Sequence, residues 1–462
     1  MSAVREVVAR VGFPRGRSTP DLGIGLEPEM FPLRVGADGA ILGRMPLEGA
    51  DSVLEVFDEL AEREAWLLPR DPEAGAPRFE LAHGGSYTFE PGAQVEHSTA
   101  VHKTAHAALT DLARHREVLC GAFRARGVRL AKCGYDVFEP VEAVPQQLRA
   151  PRYPAMASYF ASRSSEGRIM MRHTATLQVN LDLGAEGVDL ERWLLSNLSS
   201  PFATASFASS PRGEAVCGRS QAWQALDPTR SGFPRGLLEG RIDDPVGVLT
   251  EAALEADVLL FRKPGGGAEP GTPGFSFGQW LREGHPDHGS PSVDDLEYHL
   301  TTLFFEVRCR GFFELRACDN LPEPWDVAPV VFFCGLLYED EARKAAIDLL
   351  GDLRPELDAL WRQAGRTGLR EGVLAERSHD LWRIALAGAR RLPAGYFEPQ
   401  EVAHAEQFVE RFVAQGRSPS DELRAALEQG ESAALAWAMG DAPCPDSKQP
   451  CPDSPPTGRA LA

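Results

Sequence analysis

Gly23-Ile-Gly-Leu-Glu-Pro-Glu-Met-Phe31 and Ala175-Thr-Leu-Gln-Val-Asn-Leu-Asp-Leu183 are apolar runs interrupted at alternate positions by residues that carry chemistry. Glu27 and Glu29 stand two apart in the first; Gln178, Asn180 and Asp182 do so in the second. Side chains at i and i+2 of a strand point to one face, so each run reads as a strand with an apolar and a functional side. Three further segments repeat the device. Gln94 and Glu96 follow Glu90 in residues 89–98, Glu306 and Arg308 fall in 303–309, and Glu314 and Arg316 in 312–319.

Around these runs, strands are expected at 22–33, 87–96, 175–183, 301–309 and 312–317. Helical spacing covers 100–126, closed by Gly127 as a C-cap, and recurs in 189–208, 321–350 and the Ala/Leu/Glu/Arg-rich 340–428. Strands early and helices late, without βαβ alternation, predict an α+β fold around an antiparallel sheet. Glycine and proline in 264–274 are too dense for a regular element. The expected organisation is an N-terminal extension (1–20), a single catalytic domain (21–440) and a polar, disordered tail (441–462).

Charge narrows the partners. Sixty-seven acidic residues against 48 basic give a net charge of −19, which repels phosphate backbones and anionic lipid. Nucleic acid and membranes are therefore excluded as general partners, whereas a nucleotide is not, since bound magnesium inverts the charge logic of an acidic pocket. The eight cysteines form no CxxC pair and mostly sit in apolar contexts, which fits a reducing, cytoplasmic setting. Residues 1–20 lack the apolar core of a secretory signal, and no stretch approaches about 20 apolar residues.

A sheet with one face in water produces the same alternation without any function. Five segments carrying carboxylates, amides and arginines, with almost no lysine, argue against that reading. Carboxylates converging from several strands repel one another unless cations lie between them, and oxygen donors suit Mg²⁺ or Mn²⁺. Other phosphate and catalytic signatures fail: GxxxxGK[ST], GxSxG and HExxH are absent, and GIGLEPE lacks the third glycine of a dinucleotide fingerprint. His102 and His106 share a helix face but read as surface residues.

In this order the segments resemble the glutamate–cysteine ligases of the plant and bacterial type, including those of ergothioneine synthesis. The resemblance spans residues 22–430 and rests on GIGLEPEMF, FEPGAQVE, MMRHTATLQVNLDLG, GRSQAW, DPTRSG and YHLTTLFFEVRCRGFFELR. It implies a glutamine-synthetase-like fold, with a curved antiparallel sheet forming a funnel-shaped active site and helices at its flanks. It also implies ATP-dependent ligation: the γ-carboxylate of L-glutamate is phosphorylated by ATP, and the amine of L-cysteine displaces the phosphate. By resemblance Glu27, Glu29, Glu90, Glu96 and Glu314 are metal ligands. Gln94, Gln178 and Asn180 line the site, and Arg219 and Arg230 meet substrate or nucleotide. Glu314 and Arg316 belong to the catalytic centre.

Each has a plainer reading: Arg219 and Arg230 as surface ion pairs, Asp182 and Glu306 facing solvent or a helix end, Trp223 as packing. The chain departs from the plant pattern at Pro28, where a histidine is usual and which should mark an edge strand or bulge. Further departures stand at His97, Arg172, His173 and Ser209. Two alternatives stay open: a γ-glutamyl ligase of the same fold using another amine, and a silent relative that binds glutamate or nucleotide.

Overall fold

The structure, a computed structural model, describes residues 2–14, 22–71 and 76–441. Residues 442–462 of the expected tail, with Cys444 and Cys451, and residues 1 and 15–20 of the N-terminal extension lie outside them. In chain order the strands are β1 Ile24–Val35, β2 Ile41–Arg44, β3 Phe79–Glu80, β4 Gly85–Phe89, β5 Val95–Thr99, β6 Val128–Ala131 and β7 Leu177–Leu181. They continue with β8 Ser231–Gly232, β9 Leu260–Arg262, β10 Ala268–Pro270, β11 Phe304–Phe305, β12 Val307–Cys309 and β13 Phe313–Leu315. Among the described residues nine strands form one sheet, ordered β12-β13-β7-β1-β5-β4-β3, with β2 and β6 also on β1. Every pairing in it is antiparallel. The fold is α+β, as the sequence predicts.

β1 organises the sheet by changing partners along its length. Its first half pairs with β7 from Ile24 to Pro28 and with β5 at Glu29 and Met30. Its second half pairs with β6 and β2. Pro28 is thus in the central strand, not at an edge. Main-chain N–H groups alternate sides along a strand, so the donor that Pro28 lacks would face β5, where the ladder covers only Glu29 and Met30. Beyond that gap a side chain takes over: Leu26 N–H donates to Thr99 Oγ1 at 3.0 Å.

The run expected as one strand over 87–96 is instead a hairpin, β4–β5, turning at 90–94. Glu90 N–H donates to the Gln94 carbonyl at 2.9 Å. A Cβ on Gly92 would lie 2.5 Å from the Arg172 carbonyl, so only glycine fits the turn. The glycine-rich 264–274 is also more regular than expected, since β10 pairs with β9. The 100–126 helix begins at Ala105, where Thr104 caps Ala107 N–H at 3.2 Å.

Behind the sheet, Ile24, Leu26, Val179, Leu181, Phe313 and Leu315 share one apolar core with the helices Val188–Ser206 and Val327–Tyr338. The second of these is apolar all round and wholly buried, as such a helix must be. Below β4 and β5, Tyr87, Phe89 and Val95 pack on Phe57, Leu119 and Phe123. Ahead of the sheet, the start of the N-terminal extension is helix α1, Ser2–Gly12, with Val4, Val7 and Val8 in the main core. No described helix is long and apolar enough to cross a membrane.

Candidate active site

Register places the functional side chains on one face. Directly opposed residues of neighbouring strands point the same way. Thr88 lies opposite Glu96, Glu96 opposite Glu29, and Glu27 opposite Gln178. The next row sets Arg308 opposite Glu314, Glu314 opposite Asn180, and Asn180 opposite Gly25. The face they share floors a cleft of about 530 Å³ lined by all five predicted acids, Gln94, Gln178 and Arg316.

Glu29, Glu90 and Glu96 each offer an oxygen within 4.8 Å of the others. Glu29 is the most constrained: Thr176 N–H donates to it at 2.9 Å and the Thr176 hydroxyl at 3.1 Å. Burial raises the Glu27 carboxyl to about 8, helped by Glu96 and Glu314. Burial and Glu90 raise Glu96 to about 7, and burial raises Glu90 and Glu29, the latter well above the carboxylate range. The donor set is all oxygen and anionic, which fits Mg²⁺ or Mn²⁺ and would hold such a cation.

Glu314 belongs to a different neighbourhood. Burial opposes its ionisation, but Arg308, Arg316 and Arg310 outweigh it and hold the carboxyl at about 2. Arg308 grips it with Nε and, at 2.7 Å, Nη2; Arg310 reaches it at 3.3 Å and Arg316 at 3.4 Å. The Glu314 carboxylate thus lines the cleft but is ion-paired apart from the Glu29–Glu90–Glu96 group. Arg316 also donates to Gln178 Oε1 at 3.2 Å and lies over the Trp223 ring, 5.4 Å from its centroid.

Four predicted residues are placed elsewhere or otherwise engaged. Arg219 is buried outside the cleft lining, with Nε donating to Asp319 at 2.6 Å and Nη2 to the Ala317 carbonyl at 2.7 Å. Arg230 is fully buried, bonded to Asp227 at 2.7 Å and to the Thr302 carbonyl at 2.9 Å. Both guanidiniums have internal carboxylate partners and neither lines the cleft; nor are they the surface pairs of the plainer reading. Gln94 borders the cleft, yet its amide accepts from Gly92 N–H and donates to the Thr174 carbonyl, both at 3.0 Å, fixing the turn that carries Glu90. Asn180 shares the row of Glu314 but is not in the cleft lining, and its Oδ1 is buried without a hydrogen bond.

Asp182 and Glu306, expected at solvent or a helix end, are buried. Asp182 accepts Gly23 N–H at 2.8 Å. Glu306 falls in the break between β11 and β12, which turns it out of the alternation; burial raises its carboxyl to about 7 against the pull of Arg219 and Arg316. His97 faces away from the cleft, stacked on Tyr87 at 4.6 Å, so this departure leaves the site untouched. Sequence reasoning passed over Arg310, Arg152, Met156 and Met170; Trp223, for which packing was the plainer reading, joins the two methionines in an apolar wall of the cleft. Arg310 could have been found, because it continues the i, i+2 series from Arg308. Arg152 and the methionines lie on helices, where no such spacing marks them.

Comparison with known proteins gives the class first: the chain is a ligase, since the relatives it matches carry that activity in their names. It belongs to the glutamate–cysteine ligase family 2 (GCS2), whose model matches residues 24–437. It is 34% identical over 352 residues to the glutamate–cysteine ligase EgtA of Mycolicibacterium smegmatis, covering 74% of this chain and 78% of that one. To the chloroplastic glutamate–cysteine ligase of Arabidopsis thaliana it is 29% identical over 387 residues, 81% of this chain and 71% of the relative. A solved glutamate–cysteine ligase of Francisella tularensis in complex with AMP aligns with a TM-score of 0.48 at 10% identity, over 92% of this chain and 88% of that chain.

Proposed function

We propose that the chain ligates the γ-carboxylate of L-glutamate to the amine of L-cysteine at the expense of ATP, giving γ-glutamylcysteine in the cytoplasm for glutathione or ergothioneine synthesis. The observation that carries the reading is the division of one cleft into a carboxylate group (Glu27, Glu29, Glu90, Glu96) and an arginine group (Arg152, Arg308, Arg310, Arg316). Such a cleft holds cations at one end and anionic substrates at the other.

Glu27, Glu29, Glu90 and Glu96 would hold Mg²⁺ or Mn²⁺, with Glu314 joining once its arginines turn to substrate. A bound cation neutralises the triphosphate and withdraws charge from its γ-phosphorus. The glutamate γ-carboxylate oxygen attacks that phosphorus and ADP leaves, forming γ-glutamyl phosphate. The cysteine amine then attacks the acyl carbon, phosphate leaves, and the nitrogen gives up a proton to water. Arg316, held in place by Gln178 and Trp223, is aimed to donate to the phosphoryl oxygens as their charge spreads. The Met156, Met170 and Trp223 wall shelters the acyl phosphate from water.

Phosphate release from MgATP, measured with glutamate against a panel of amines, tests the proposal. Release requiring both glutamate and cysteine, with γ-glutamylcysteine detected by mass, is the expected result. Release with a different amine would keep the chemistry and replace the acceptor; none with any amine would refute the ligase reading for this chain.

A further inference from the structure

Where β1 leaves β7, a side chain replaces one bond of the ladder. Continued past Pro28 and Leu177, the register sets Glu29 opposite Thr176. A regular antiparallel pair there would exchange two main-chain bonds. Half of the exchange is made, since Glu29 N–H donates to the Thr176 carbonyl at 2.9 Å. The other half is diverted: Thr176 N–H donates at 2.9 Å to the Glu29 carboxylate instead. The Glu29 carbonyl left over accepts from Asn320 Nδ2 at 2.6 Å. Asn320 is 1% exposed and lies outside the cleft lining. Its Oδ1 accepts Leu321 N–H at 2.9 Å, so only one orientation of the amide serves both contacts. A slip in register delivers it. Leu315 lies opposite Val179, which extended would set Cys318 opposite Thr176, yet Asp319 stands there. One extra residue on one strand is the count of a β-bulge, a device that re-aims side chains. Asp319 is pinned in turn by Ser209 N–H at 2.7 Å, the Ser210 hydroxyl at 2.5 Å and Arg219 Nε at 2.6 Å.

We infer that Asn320 is a positioning residue of the carboxylate group: by occupying the Glu29 carbonyl, it keeps Thr176 N–H free for the Glu29 carboxylate. The inference rests on the cation-holding part of the function proposed above. Once the amide is removed, the buried Glu29 carbonyl loses that donor, and the Thr176 N–H across the ladder is placed to supply another. That bond makes the strand pair regular. It also takes from the carboxylate a charge-assisted bond that holds it beside Glu90 and Glu96, leaving it the Thr176 hydroxyl at 3.1 Å. The GRSQAW segment, whose arginine lies outside the cleft, thus bears on the site through Asp319 and the bulge that carries Asn320.

Asn320→Leu removes the amide with little change of volume, and Asn320→Ala is a smaller substitution should the first fail to fold. Calorimetric titration of the full chain with Mn²⁺ reads the site, and thermal unfolding in EDTA reads the fold, neither requiring turnover. In the folded variant Mn²⁺ affinity should fall about 10–100-fold, the usual worth of a partner that orients a metal ligand. The unfolding midpoint in EDTA should stay close to that of wild type, because the ladder bond takes up the groups set free. Wild-type Mn²⁺ affinity in a folded variant overturns the inference and leaves the carboxylates as ligands. So does a fold lost in both variants, or an affinity loss that comes only with a large fall in the EDTA midpoint, either of which makes Asn320 a support of the fold. A wild type that binds no Mn²⁺ refutes the cation-holding reading itself and the inference with it.

Discussion

Replacing Glu29 by glutamine separates a metal ligand from a structural carboxylate. Oxygens of Glu29, Glu90 and Glu96 lie within 4.8 Å of one another. At an effective dielectric of about 20, two ionised carboxylates at that distance repel by roughly 3 kcal/mol. Ionisation of the whole group is therefore opposed unless a cation lies between its members, and burial raises the Glu29 carboxyl well above the usual carboxylate range. Glutamine keeps the shape of the side chain and removes its charge. It can keep the bond from Thr176 N–H, while the Thr176 hydroxyl turns to accept and the long 3.4 Å contact from the Gln178 amide is given up. Stability in EDTA should therefore change by no more than about 1 kcal/mol. Metal binding should suffer far more, because even an outer partner of a metal ligand is worth about 10–100-fold in affinity. At a cation concentration 100 times the wild-type Kd, linkage stabilises wild type by about 2.7 kcal/mol, and a variant weakened 100-fold by only about 0.4 kcal/mol. Thermal unfolding in EDTA and across a MgCl₂ or MnCl₂ series reads both quantities. A variant several kcal/mol less stable in EDTA, yet stabilised by metal as fully as wild type, would show that Glu29 serves the fold and would refute the metal-site reasoning.

Arg316→Lys should fold normally but lose about 10²–10³ in kcat, because one ammonium cannot hold Gln178, Glu314 and a phosphoryl oxygen together; an unchanged kcat in steady-state assay removes Arg316 from the catalytic list. Arg219→Met strands Asp319 in the core and should cost about 3–5 kcal/mol in denaturant unfolding. The folded fraction should keep its KM for ATP and glutamate, and a raised KM at intact stability would return Arg219 to the substrate site. Burial, and after it Arg230, holds the His299 imidazole at about 3, against 6.5 when exposed. Between those values the unfolded chain binds the extra proton, so stability is full above pH 6.5 and falls by up to about 1.4 kcal/mol per pH unit toward pH 3. His299→Gln should flatten that part of the stability profile, and an unchanged slope would count against a neutral buried imidazole.

What the sequence disclosed was whatever follows from strand alternation. Glu27, Glu29, Gln178, Glu314, Arg308 and Arg316 share the cleft because they keep the i, i+2 series in runs that do form strands, and register brings those runs side by side. Glu306 obeyed the spacing and still left the face, because the chain breaks between β11 and β12 and no residue type announces the break. Arg219 and Arg230 lie outside the cleft lining, and spacing alone does not announce it. A guanidinium's task depends on its nearest anion, and neither Asp319, a hundred residues downstream of Arg219, nor Asp227, beside Arg230, can be told from a solvent-exposed acid by spacing. Arg152 and the methionine wall come from helices whose orientation is set by tertiary packing, which is information of longer range than any local period.

The two halves of the cleft are neutralised differently, and this connects its electrostatics to its chemistry. Glu27, Glu29 and Glu96 are raised by burial and mutual repulsion, which disfavours their joint ionisation unless positive charge lies between them. Glu314 stays ionised because Arg308, Arg310 and Arg316 surround it, so a carboxylate stands where phosphate oxygens would. Under the proposed function a nucleotide arriving with divalent cations would answer both arrangements at once: the carboxylates would hold the cations, and the phosphates would compete for the arginines. Each arginine taken up by phosphate would weaken the hold on Glu314, leaving it free to serve as an oxygen donor. The resemblance names Glu314 as a ligand and the structure shows it paired with arginines; the two agree once the pairing is understood as that of a cleft without substrate. The same exchange couples the two ends of the site. The proposed function therefore predicts that cations would bind more tightly with nucleotide present, because the nucleotide would free an additional carboxylate for them and contribute phosphate oxygens of its own.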